Sequence, residues 1–107
     1  MKFRINKETK FDKDKPMFPI AIVAEILKVH RRTLRIYDKK GILSPERSKR
    51  NRRLYSFNDI EKGKFIIFLT QEAGANIAGV KIILELLKKL KISPEKYKEF
   101  IENIVKQ

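Results

Sequence analysis

At 107 residues, with 42% apolar and 36% charged side chains, the chain fits one small globular domain whose modest core a second copy would help complete. Its net charge of +13 directs it toward a polyanion, and the absence of cysteine removes disulfides, thiolate metal sites and cysteine nucleophiles together. No apolar run approaches the ~20 residues of a membrane span, and "MKFRINKETKFDKDKP" lacks the apolar block of a secretory signal, so a cytoplasmic protein with no membrane partner is expected.

The charge is unevenly placed. Residues 28 to 55 hold eleven basic side chains against Asp38 and Glu46, a net +9, which leaves +4 for the rest of the chain. Outside this window lysines and glutamates largely offset one another; inside it the field has one sign.

Residues 1 to 16 alternate charges with few apolar anchors and read as a basic N-terminal arm, mobile or loosely attached as a strand. From Ile20, apolar residues at Ile20, Val23, Ala24 and Leu27 follow the i, i+3, i+4, i+7 spacing of a helix on a core, with Pro19 in its first turn. A break at Lys28 and Val29 leads into "HRRTLRIYDKKG", a second short helix that Lys39 and Lys40 close on the side of the negative dipole end before Gly41 stops it. One buried helix followed by one carrying exposed arginines is a helix-turn-helix.

Past Gly41, "ILSPERSKRNRRLYSFND" places the polar tip "KRNR" between two short extended runs, Glu46 to Ser48 and Arg53 to Ser56, which make a small hairpin wing. Ser56 and Asp59 form the spacing of a capping box, and the helix they open should carry Ile60, Phe65, Ile66 or Ile67, Phe68 and Leu69 until Ala73 and Gly74. Next, Val80, Ile83, Leu84, Leu87 and Leu90 fall on one helical stripe. Ser93 as cap and Pro94 at the first position start a last helix of roughly 13 residues with Tyr97, Phe100, Ile101, Ile104 and Val105 on its apolar face. A helix this short is marginal unless that face is covered, and antiparallel pairing with a second copy is preferred over folding back on the same domain. The expected organisation is an arm over 1–16, a winged helix-turn-helix over 17–74 and a helical extension with a dimerisation helix over 75–107. The fold class is mainly α.

"VHRRTLRIYDKKGILSPERSKRNRRLYSFNDI" resembles the winged helix-turn-helix signature of MerR-type transcriptional regulators, and "LTQEAGANIAGVKIILEL", with His30 ahead of "RRTLR", is similar to the HspR heat-shock repressor branch. The resemblance implies a homodimer on an inverted repeat of double-stranded DNA upstream of chaperone genes, with an Hsp70-type chaperone as co-repressor in some members. Two positions depart from the family pattern. Ile36 stands where an aromatic residue is common, and Lys28 occupies a turn that often holds glycine, so either the turn differs or a lysine takes positive φ.

Arg31 and Arg32 sit where a recognition helix enters the major groove, and the guanidinium fork matches the acceptors of guanine, so both are assigned to base reading. His30 and Thr33 are neighbours able to reach bases or phosphate, Thr33 reading equally as a helix-start residue. Arg35 and Tyr37 match family positions on the DNA backbone, Arg35 with the alternative of an ion pair to Asp38 three residues on. In the wing Lys49, Arg50, Asn51 and Arg52 would straddle the neighbouring backbone or minor groove, with Arg53 the family's matched contact. Tyr55 either packs the wing or offers its hydroxyl to phosphate.

Enzymatic chemistry finds no residue set: His30 is the lone histidine, no glycine-rich phosphate loop is present, and Glu61, Glu85 and Glu99 have the spacing of solvated faces. No metal or cofactor is expected. An excisionase-like or RNA-binding module is the alternative, but the helices after Gly74 favour a regulator, and the aromatics lie on apolar helix faces rather than on stacking platforms. Without cysteines or an effector domain, a repressor released by temperature or a partner protein is preferred to a ligand-sensing activator.

Overall fold

The computed structural model describes residues 11–106. In chain order the elements are β1 (Phe18–Pro19), α1 (Ile20–Leu27), α2 (Arg31–Lys39), β2 (Glu46–Arg47), β3 (Arg53–Tyr55), α3 (Phe57–Ile67), a π-helical turn (Phe68–Glu72), α4 (Ile77–Lys89), a 3₁₀ turn (Pro94–Lys96) and α5 (Tyr97–Val105). The fold is mainly α, a winged helix-turn-helix with a small antiparallel sheet in the order β1-β3-β2.

Helix ends follow from local chemistry. The α1 helix closes with paired bonds from Lys28 N–H to Glu25 O and from Val29 N–H to Ala24 O, a loop that demands a left-handed residue; Lys28 supplies it at φ 57°. The turn is therefore the ordinary one, and Lys28 carries strain on the order of 1–2 kcal/mol that glycine would not. Lys91, at φ 58°, does the same after α4. Gly41, at φ 75°, closes α2 by the same pair of bonds, Gly41 N–H to Asp38 O and Ile42 N–H to Tyr37 O. At the start of α3, Ser56 Oγ accepts from Asp59 N–H at 3.0 Å while Asp59 Oδ2 accepts from Ser56 N–H at 2.9 Å, the reciprocal box expected from the sequence.

One apolar core runs through all five helices. Val23 and Leu27 of α1, Leu34 and Tyr37 of α2, Ile42 and Leu43 after it, Ile60, Phe65 and Ile66 of α3, Val80, Leu84 and Leu87 of α4 and Tyr97 of α5 belong to one buried cluster. Gly63 lets α3 approach: a Cβ there would lie 2.7 Å from Leu27 Cδ1.

Several expectations need correction. The sheet has a third strand, β1, paired Phe18 to Tyr55 and Pro19 to Leu54, so Pro19 belongs to the strand and the N-cap position rather than the first helical turn. The wing strands are shorter than expected, with Glu46 opposite Leu54 and Arg47 opposite Arg53. Leu90 is exposed, because the chain turns away there. The last helix is interrupted: Ser93 makes no side-chain cap bond, Pro94 opens a 3₁₀ turn, and α5 proper has nine residues.

The apolar face of α5 is turned inward at its start. Tyr97 is buried against Phe65 with ring centroids 5.3 Å apart, and Phe100 and Ile101 are partly buried on the same core. Only Ile104 and Val105 of the five remain exposed. Of the N-terminal arm, residues 1–10 lie outside the described residues. Residues 11–17 are tied down: Asn58 N–H donates to Lys13 O, the Asn58 amide to Asp14 at 2.8 Å, Lys13 pairs with Glu95 at 2.9 Å, and Phe11 meets Phe57 edge-on.

Candidate nucleic-acid interface

The helix-turn-helix puts its arginines at the open start of α2. Arg31 and Arg32 are the first two helical residues and both are exposed, while Leu34 and Tyr37 one turn on are buried and fix the helix on the core. His30 has a task the sequence reading missed. Its Nδ1 accepts from Arg32 N–H at 3.0 Å, so the imidazole caps α2 and carries its proton on Nε2. The signal was its place just before the helix, although histidine is not among the favoured capping residues. Thr33 is half-buried in the first turn.

Arg35 is exposed and makes no ion pair among the described residues. The i+3 alternative is therefore not taken up: Asp38 turns to the wing, where Oδ2 accepts from Arg53 Nε at 2.8 Å and from Arg47 Nη2 at 3.4 Å. One carboxylate at the end of α2 thus holds both strands of the hairpin. Arg47 also donates to Asn51 O at 3.2 Å, and Ser48 N–H to Arg52 O at 2.8 Å closes a tip in which Asn51 takes φ 60°. Lys49, Arg50 and Arg52 stand exposed around that tip.

Three expected contacts change character. Arg53 is half-buried and committed to Asp38, so it orients the wing before it meets any phosphate. Tyr37 keeps only 7% of its surface exposed, its ring serving the core. Tyr55 is fully buried and packs the wing, and among the described residues its hydroxyl has no hydrogen-bond partner. Burial pushes its pKa up to about 12, with Arg53 opposing.

Beside the wing, Arg47, Asn51, Arg52 and Arg53 border a cavity of about 290 Å³ with Pro19, Ile20 and Ala21, where α1 begins without a side-chain cap. Exposed arginines at the start of one helix and a basic wing fixed to that same helix are the arrangement of a winged helix-turn-helix DNA-binding protein.

Residues 18–87 match the MerR HTH family of regulatory proteins, and the chain belongs to that family. It is a DNA-binding transcriptional regulator. It is 41% identical over 91 residues to the HTH-type transcriptional regulator GlnR of Bacillus anthracis, covering 85% of this chain and 69% of GlnR. It is also 41% identical over 73 residues to a putative heat shock protein HspR of Streptomyces coelicolor, covering 68% of this chain and 48% of that protein. The crystal structure of the N-terminus of MtaN, the Bacillus subtilis multidrug transporter activator, superimposes with a TM-score of 0.59 at 30% identity, covering 83% of this chain and 95% of that one. The HspR likeness read from the sequence is thus real, and GlnR shares the same identity over a longer stretch. Among the described residues no helix is long and apolar enough to cross a membrane.

Proposed function

We propose that this regulator is a sequence-specific repressor that binds an inverted repeat as a homodimer, with heat-shock or chaperone genes among its targets. The observation that carries the reading is the pairing of exposed Arg31 and Arg32, seated on buried Leu34, with a basic wing clasped to the same helix. The helix reads bases while Lys49, Arg50 and Arg52 neutralise phosphate beside it. Repression suits a chain with no cysteine to sense metals or oxidants. Release then falls to temperature or to a partner such as an Hsp70-type chaperone.

We assign the homodimer contact to the exposed apolar residues Ile82 and Leu86 of α4, Leu90 at its end, and Ile104 and Val105 of α5, since Tyr97 is buried and Phe100 and Ile101 pack partly on the core.

Selection of random duplexes by the purified protein, followed by sequencing of the survivors, tests the reading. Two symmetric half-sites recovered from upstream of chaperone genes are expected. Survivors with no shared sequence, or a single asymmetric site, would refute a dimeric repressor. Symmetric sites upstream of unrelated genes would retain the regulator and remove the heat-shock assignment, an outcome to which the GlnR likeness gives weight.

A further inference from the structure

Asp38 is out of place by simple electrostatics. It lies in the last turn of α2, beside the negative end of the helix dipole, and with Glu46 it is one of two acids in the window of net +9. A carboxylate there subtracts from the field that draws in DNA. Yet it is only 18% exposed at the side chain and takes two arginines, Arg53 Nε at 2.8 Å and Arg47 Nη2 at 3.4 Å, one from each wing strand.

We infer that Asp38 is a specificity-determining positioning residue: by clasping Arg47 and Arg53 it holds the wing in register with the recognition helix and withholds both guanidinium groups from indiscriminate phosphate binding. The inference rests on the DNA-binding reading above and goes beyond it.

The wing needs such a clasp. β2 and β3 meet over two residue pairs, a ladder too short to set the orientation of a hairpin by itself. The register with β1 fixes β3 from one side, while on the other side the Asp38 pairs fix both strands against α2. A duplex that fits both the α2 arginines and the wing finds them prearranged, which lowers the ordering cost of the cognate complex alone. A random duplex, held by charge alone, gains nothing from the arrangement and meets two arginines whose combined charge is halved by the carboxylate they share.

The two effects have opposite signs in one variant. Asp38→Asn keeps the shape, removes the charge and frees Arg47 and Arg53. Fluorescence anisotropy against the selected cognate duplex and a scrambled one, at several salt concentrations, should show the cognate affinity falling ~10-fold or more through lost preorganisation. Scrambled-duplex affinity should hold or rise, with a salt dependence steeper by about one to two ions. Asp38→Glu, which keeps the charge and can reach both arginines, should recover most of the cognate affinity.

Equal losses on both duplexes would reduce Asp38 to a folding residue, and unchanged cognate affinity would remove any role; either overturns the inference. If Asp38→Asn gives no cooperative melt, Arg53→Lys applies the same test, since it keeps the charge and breaks the Nε bond. A selective cognate loss then supports the inference and parallel losses overturn it. Were the unaltered protein to prefer no duplex at all, the repressor reading would fall instead. A steeper salt dependence of Asp38→Asn on any duplex would still register the clasp.

Discussion

Replacing Tyr55 with phenylalanine separates a structural from a DNA-contacting role at the centre of the wing. The side chain is fully buried and its hydroxyl has no protein partner among the described residues, so folding desolvates a polar group without compensation. Such a group costs about 1–3 kcal/mol, and Tyr55→Phe leaves the ring in place, so a gain of about 1 kcal/mol is expected, or ~4–8 °C in melting temperature for a domain this size. Alkaline titration sharpens the case. In the folded chain the phenol keeps its proton to about 12, against 10.0 when unfolded, so above pH 10 the unfolded state binds fewer protons and stability falls as pH rises through 12. That gap corresponds to ~3 kcal/mol of stability present below pH 10 and lost above 12. Phenylalanine removes this loss and leaves the smaller ones: Tyr97, raised by burial, acts in the same direction, while Lys62, lowered by burial against an opposing Asp59, acts in the opposite one. Thermal melts by circular dichroism at pH 7 and across pH 9 to 12, with anisotropy on the cognate duplex, read all three effects. Destabilisation by more than about 1 kcal/mol at pH 7, or a tenfold loss of DNA affinity with the fold intact, would give the Tyr55 hydroxyl a bonding partner or a DNA contact instead.

Three further outcomes follow from the geometry. Arg31→Ala or Arg32→Ala should lose ~1–3 kcal/mol on the cognate duplex and little on a scrambled one, whereas Arg50→Ala should weaken both alike and flatten the salt dependence by about one ion. Lys28→Gly should raise the unfolding free energy from urea titration by up to about 1 kcal/mol, the relief of a left-handed lysine less the entropy glycine adds to the unfolded chain; a drop would mean the strain is absent. Ile82→Glu with Leu86→Glu should convert a dimer to a monomer in sedimentation equilibrium without loss of fold, while Tyr97→Ala should cost ~3–5 kcal/mol in folding stability.

What the sequence disclosed was whatever rests on neighbours in the chain. The i, i+3, i+4 spacing located α1 and α4, the Ser56–Asp59 box marked the start of α3 and Gly41 the end of α2, because each depends on bonds spanning three to five residues. The first strand escaped because two residues hold no alternation, and their pairing with β3 joins positions more than thirty residues apart. The Asp38 clasp escaped for a related reason. Local spacing offers Arg35, while the partners chosen, Arg47 and Arg53, are nine and fifteen residues away and meet Asp38 only once the wing folds over α2. The face of α5 was legible as one that must be covered, but periodicity does not name what covers it; within the chain Phe65 of α3 takes up Tyr97.

The two rims of the small sheet bear on how copies of this protein can meet. On one rim Pro19 has no amide hydrogen to offer an incoming chain; on the other, β2 is two charged residues long and preceded by Pro45. Neither rim is a template for strand addition. Crowded along DNA or freshly synthesised, these molecules are guarded against stacking into β-rich aggregates.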